Sequence, residues 1–371
     1  MPWRRLRLWA IALFGVGLAP IVAAPFYGFH DWPDFWAAGN VVGSADLVDA
    51  VRFQAWQAAH GLPQIPFPYP PAAAFLLRPF ALLPFDVSFW VHAGVMLACA
   101  VAAGRVGARV FGLRTSVGVL SALAWAPVTG AIVIGQNTPF ALLLAILAIK
   151  ALVRGRDAVA GGWLAGLLYK PTLAAPLVGV LLLRRRWRAL VVVVAGAAAW
   201  YAVGVLAAGG DPGWPATWLA TLRGWLADDA IRNADKAVSI TGLLARLSVP
   251  DWLPFLGGVL LVIAALPRVI HAPLREAAAG ALLIGVAASP HAWSYEAALL
   301  LPIIWWALAG GIVEPWRTRL VVAAYVLAPF WMVSRQTVVS AVAVVVLGAA
   351  AVWLSGRWRG TPAEAPRRSA A

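Results

Sequence analysis

Two carboxylates sit among aromatic rings in His30-Asp31-Trp32-Pro33-Asp34-Phe35-Trp36-Ala37-Ala38-Gly39-Asn40, where the chain leaves a first apolar stretch. A charged group at a membrane interface is costly to desolvate and asks for a reason. A carboxylate flanked by rings suits a site for a molecule with polar and greasy parts, such as a sugar on a lipid. Asp34 can take the proton of an alcohol that attacks a sugar carbon, and apolar neighbours would raise its pKa toward a useful range. It can equally serve as a helix N-cap before Phe35-Trp36-Ala37-Ala38. Asp31 reads as a structural group or an orienting partner.

Cations come later. Lys170 lies mid-hydrophobic at Tyr169-Lys170-Pro171-Thr172. Unwound backbone plus a cation makes a seat for phosphate; the bland alternative is a lysine snorkelling to the interface. Arg232, Asp235 and Lys236 form a cluster that binds phosphate or simply solvates a loop. Arg335 in Ser334-Arg335-Gln336 is a further phosphate partner, since guanidinium matches phosphate geometry. His291 opens the second strong constellation, Ser289-Pro290-His291-Ala292-Trp293-Ser294-Tyr295-Glu296, and can donate to phosphate or sugar. Two turns add polar and rigid groups. Gly135-Gln136-Asn137-Thr138-Pro139 offers amides for sugar hydroxyls, although a tight turn needs Gly, Asn and Pro anyway. Pro68-Tyr69-Pro70-Pro71 is a stiff loop over a site or a stiff connector. The candidate contacts to sugar or lipid are therefore Asp31, Trp36, Tyr69, Gln136, Asn137, Trp293, Tyr295 and Glu296.

No Walker loop, metal-spaced His pair or Asp-x-Asp pair is present in the sequence, and Asp228-Asp229 is weak support for a metal. No cofactor and no metal are expected. The lone cysteine, Cys99, excludes an intramolecular disulfide and a Cys-cluster metal site.

The elements that position these residues must be membrane helices. The chain is 62% hydrophobic and 12% charged, whereas a soluble domain carries about 25% charged residues. The net charge of +14 lies in short clusters between apolar spans, so nucleic acid is not the expected partner. A span needs about 20 apolar residues. Candidates are 7–25, 87–104, 115–134, 138–153, 189–208, 252–267, 274–289, 293–311, 319–333 and 337–355, with 158–183 reading as a broken helical pair. The expected fold is an all-α polytopic helix bundle of about 12 crossings. The N-terminal run resembles a signal peptide, but a retained first helix is favoured.

Most of the 29 basic residues fall on one side, including Arg4-Arg5 and Arg184-Arg185-Arg186-Trp187-Arg188. By the positive-inside rule both termini are cytoplasmic, in an inner (plasma) membrane. The acids partition to the outer face, so polar chemistry gathers there. Outer loops are expected at 26–86 and 209–251, within one membrane domain over 1–356. A disordered cytoplasmic tail is expected at 357–371.

These motifs recur in an order that resembles glycosyltransferase family 87: Asp34-Phe35-Trp36-Ala37-Ala38-Gly39, Tyr69-Pro70-Pro71, Gly135-Gln136-Asn137, Lys170-Pro171 with the following Arg cluster, and Ser289-Pro290-His291 with Tyr295-Glu296. The family comprises polyprenol-phosphate-mannose-dependent mannosyltransferases of the C-type membrane fold. The resemblance implies a sugar on polyprenyl phosphate at the outer leaflet, and an acidic general base in the first outer loop, here Asp34. Some relatives carry His where this chain has Tyr295-Glu296. The expected function is transfer of a hexose, mannose first, from polyprenyl phosphate to a glycolipid or glycan acceptor. Lys170, Arg232, Lys236, His291 and Arg335 are the candidate phosphate partners. The alternative is a transporter or flippase for a lipid-linked or small anionic solute, since broken helices and buried cations suit that class too. An O-antigen-ligase-like enzyme, with a pyrophosphate-linked donor, would call for a larger outer loop.

Overall fold

A computed structural model describes residues 31–232, 237–239, 244, 250, 252–289, 292–310, 317, 319, 321–325 and 328. The expected spans 7–25 and 337–355, the 357–371 tail and the candidates Lys236, His291 and Arg335 lie outside the described residues. Among the described residues the chain is helical, with one isolated antiparallel bridge, Ala237 to Trp293.

The segment expected to form the first outer loop folds into helices of its own. Helix α1 (Trp32–Val41) is followed by a 3-10 turn (Ala45–Leu47), α2 (Ala50–Ala59) and α3 (Ala74–Ala81). Pro33 is the second residue of α1, where a missing N–H is harmless and its fixed φ suits a first helical turn. Arg78 of α3 reaches the carbonyls of Gly39 (3.1 Å) and Asn40 (3.4 Å), which satisfies the C-terminal end of α1. Between α2 and α3 the Pro-rich stretch stays extended, yet Phe67 and Tyr69 are buried. The stiff loop therefore inserts into the protein.

The apolar body follows as α4 (Phe85–Phe111), α5 (Thr115–Leu123), α6 (Ala126–Val133), α7 (Thr138–Val153), α8 (Asp157–Leu167), α9 (Pro171–Leu183), α10 (Trp187–Ala207) and α11 (Trp214–Arg232). It closes with α12 (Trp252–His271), α13 (Leu274–Ala288), a 3-10 helix (Ser294–Leu300) and α14 (Leu301–Gly310). Among the described residues only α4 and α10 are long and apolar enough to cross a membrane alone. At 1.5 Å per residue they reach about 40 Å and about 31 Å. Helices α5 and α6 pass together but bend by 56°. The expected single span 115–134 is thus broken: Trp125 takes an extended conformation (ψ 105°), and Pro127, which supplies no N–H, falls in the first turn of α6. The described residues account for two or three spans, not for 12 crossings. The break expected at 169–172 is present: α8 and α9 are 11 and 13 residues long and flank it.

Candidate active site

The two strong sequence constellations and two of the weaker turns meet in one place. Five stretches supply the groups: the start of α1, the extended 62–70 segment, the α6–α7 turn, the α8–α9 break and the 3-10 helix at 294–300.

Asp34 lies in the first turn of α1, not at its cap; Asp31 takes the cap position and makes no side-chain cap bond. The capping explanation for Asp34 is therefore corrected: the helix begins two residues earlier, at Trp32. Asp34 is 5% exposed, and its Oδ1 has no hydrogen-bond partner among the described residues. Burial pushes its carboxyl well above the usual carboxylate range, and the charge of Asp31 pushes the same way. A buried oxygen left without a partner is expensive, so it asks for an explanation outside the folded chain itself.

Trp32 anchors the start of α1. Its ring is fully buried, its Nε1 donates to Ser88 Oγ at 3.0 Å, and it lies 4.4 Å from the His92 ring. The backbone N–H of Asp31 donates to Ile134 O (3.1 Å), tying α1 to the α6–α7 turn. Gly135 sits in that turn with φ +83°, and a Cβ there would fall 2.8 Å from Trp32 Cβ. Both facts call for glycine. The close approach sets Gln136 beside Asp31.

Gln136 Nε2 donates to Asp31 Oδ2 at 2.8 Å. Its Oε1 accepts from Tyr69 OH at 3.2 Å and from Lys170 Nζ at 3.5 Å. Lys170 Nζ also pairs with Glu296 Oε1 at 3.4 Å. The ammonium stands over the rings of Tyr69 (5.5 Å to the centroid) and Tyr295 (5.2 Å). Such cation–π contacts partly replace lost water. Glu296 is held from behind, since its Oε2 accepts the Trp293 backbone N–H at 3.2 Å. Trp125 Nε1 donates to Ala297 O (2.8 Å) and steadies the 3-10 helix.

A buried ion pair is poor evidence of stability, because desolvation offsets its Coulombic gain. Lys170 and Glu296 are 8% and 3% exposed. Snorkelling does not describe Lys170, which points inward to a carboxylate, an amide and two rings.

Tyr169 is a residue that sequence reasoning passed over. It stacks on Tyr69 (6.2 Å, 14°) and donates from its hydroxyl to Asn137 O (3.0 Å). Its place beside Lys170 was the available signal. Asn137 is buried with Oδ1 unpartnered among the described residues, so it offers an acceptor. Trp36 makes its contacts elsewhere: Nε1 donates to Leu83 O (3.2 Å), and its ring meets Phe85 and Trp56. Arg232 ends α11, and nothing further of it is described.

Two hollows adjoin the polar cluster. An apolar groove of about 400 Å³ runs between α9, α12 and α13, from Thr172 and Ser289 to Leu183 and Val262. A smaller cavity shares Thr172, Pro176 and Gly285 with it and reaches Glu296. Among the described residues no group of three or more His, Cys, Asp or Glu is placed to hold a metal.

The site thus sets a buried carboxylate and a buried ammonium among apolar helices, beside an apolar groove. The chain belongs to glycosyltransferase family 87, whose family model matches residues 67–302. Two curated relatives, each named alpha-(1->3)-arabinofuranosyltransferase, come from Mycobacterium tuberculosis strains CDC 1551 / Oshkosh and ATCC 25618 / H37Rv. Each is 35% identical over 136 residues, covering 34% of this chain and 31% of the relative. The match thus spans about a third of either protein. No solved structure matches the chain. Family membership favours the transferase over the transporter.

Proposed function

We infer that the chain transfers a glycosyl unit from polyprenyl phosphate to a hydroxyl of a glycolipid or glycan, on the extracytoplasmic face of the inner membrane. The observation that carries this reading is the partnerless, buried Asp34 Oδ1 in the same cluster as a buried lysine. The acceptor O–H donates to Asp34 Oδ1, and its oxygen attacks the anomeric carbon. The bond from that carbon to the phosphate oxygen breaks. The proton passes to Asp34, and polyprenyl phosphate leaves as the anion. Lys170 stabilises the charge gained by the leaving phosphate; preorganised charge of this kind is a large catalytic contribution in a dry site. The prenyl chain lies in the groove between α9, α12 and α13, whose upper end at Thr172 and Ser289 adjoins Glu296. Arg232, Lys236, His291 and Arg335 remain phosphate candidates, and no cofactor takes part.

Mannose is the first sugar to test, from the family's donor. Arabinofuranose is the second, from the name of the mycobacterial relatives. The experiment uses the full chain in nanodiscs with decaprenyl-phosphate-linked mannose or arabinofuranose and glycolipid acceptors. Asp34→Asn keeps the side chain's shape and removes the base. Transfer should fall by about 10²–10⁴-fold. Unchanged transfer by the Asn variant would remove the base assignment.

A further inference from the structure

The amide of Gln136 joins the two charged halves of the site. Its setting draws on chain segments far apart in sequence: Asp31 before α1, Tyr69 in the extended loop, Lys170 at the α8–α9 break, and Gln136 itself after α6. Only one orientation of the amide satisfies them. The nitrogen must face Asp31, an acceptor; the oxygen must face the Tyr69 hydroxyl and the Lys170 ammonium, both donors. Turned over, the amide would set NH₂ against two donors and C=O against a carboxylate. Tyr69 stays a donor, because burial first, and then its neighbours' negative charge, push its hydroxyl well above the usual phenol range. Gln136 is itself 4% exposed, and its oxygen and one of its N–H groups already face protein partners. That is a poor arrangement for a sugar contact.

We propose that Gln136 is a positioning residue for the transfer reaction rather than a sugar ligand: it holds Asp31 ionised beside Asp34, and it fixes Lys170 for the phosphate. The proposal rests on the reading of Asp34 as base and Lys170 as phosphate partner. The groups facing Gln136 are Asp31 and, through it, Asp34 from α1, Tyr69 from the extended loop and, through it, Tyr169, Lys170 from the α8–α9 break, and Glu296 through Lys170. An ionised Asp31 matters because a charged carboxylate accepts more strongly from Gln136 Nε2 than a protonated carboxyl does, so the amide favours the charged form. A Lys170 ammonium without Gln136 would swing wholly to Glu296.

A carboxylic acid carries the same pattern as the amide, one donor and one acceptor, but only while protonated. Beside Asp31 the introduced carboxyl shares a proton at low pH and loses it as pH rises, leaving two carboxylates opposed. Gln136→Glu should therefore support turnover near about pH 5.5 and lose it by about tenfold or more toward about pH 8.5. The wild type, governed by Asp34, should change the opposite way. Gln136→Met, of similar length and without polar ends, should lower kcat by about tenfold or more at every pH, and the thermal midpoint should fall as its buried partners lose a hydrogen bond. A second readout needs no substrate: the difference infrared spectrum of Gln136→Glu minus wild type should show an additional protonated carboxyl C=O band at neutral pH, beyond any that Asp34 contributes to both. A Gln136→Glu profile parallel to the wild type, or an unaltered kcat in Gln136→Met, overturns the proposal. Asp34→Asn, measured alongside, separates the two ideas. If that variant stays active, the base assignment fails, while the infrared band still tests the Gln136–Asp31 arrangement.

Discussion

At the scale of the residue, the chemistry rests on groups whose burial is unfavourable by itself. Asp34 is the sharpest case. Its folded pKa is raised by burial and by Asp31, so the folded state prefers the proton. The stability it contributes is complete below the ordinary aspartate pKa and is lost as pH rises through the raised folded value. Catalysis runs the other way, because a general base must be ionised. Transfer should therefore rise with pH on an acid limb displaced above the ordinary aspartate range, while the thermal midpoint falls over the same interval. Asp34→Asn should abolish the first trend and flatten the second, with a midpoint at pH 8 at or about 2 °C above the wild type. Paired pH–rate and pH–melting curves check this; a less stable Asn variant counts against the burial argument. The types were legible in the sequence: Asp34, Lys170 and Glu296 each stand out as charges in apolar surroundings. Their pairing was not. Lys170 and Glu296 are separated by more than a hundred positions, and no local pattern says that a lysine at a helix break faces one acid rather than another.

At the scale of the element, the position of Asp34 depends on how closely α1 lies against α3. Gly39 makes that possible. A Cβ at Gly39 would fall 2.8 Å from Ala81 Cβ and 2.9 Å from Leu77 O. The backbone of α3 cannot yield as a flexible side chain can. Gly39→Val should push α1 outward and destabilise the protein by about 1–3 kcal/mol. It should also lower transfer, since Asp34 moves with the helix. Gly43 is the internal control: it has φ +91°, and nothing lies within 4 Å of the point a Cβ would occupy. Gly43→Ala should therefore cost about 1 kcal/mol of backbone strain and leave turnover intact. Melting curves and initial rates on both variants decide it. Equal effects on turnover would argue that the α1–α3 contact does not set the base. The breaks between helices were legible, because Pro127 and Lys170-Pro171 interrupt apolar runs. The angle of the α5–α6 bend and the fit of α1 on α3 were not, because side-chain packing fixes them.

At the scale of the whole molecule, the apolar groove adjoins the polar cluster by way of a smaller cavity that reaches Glu296. The groove is open where Gly179 lines it, and Gly179 has room for a side chain. Gly179→Trp should fill the groove without displacing α9. The KM for a long-chain polyprenyl donor should rise by about tenfold, the loss of roughly two buried methylenes, while a short-chain donor keeps its KM. An equal KM for both chain lengths would place the prenyl chain elsewhere. The sequence by itself determined the class, an all-helical membrane protein of family 87 pattern, because hydrophobic excess and motif order are properties of the chain read end to end. It also marked the charges that burial makes costly. Only the tertiary structure decided that Gln136 stands between Asp31 and Lys170, that Trp36 faces Leu83 and Phe85, and that Asp34 keeps an oxygen without a partner among the described residues. Those outcomes depend on which distant segments pack together. Local sequence constrains that packing through hydrophobic burial, which has no direction, whereas hydrogen bonds and ion pairs acquire theirs only once the helices are in place.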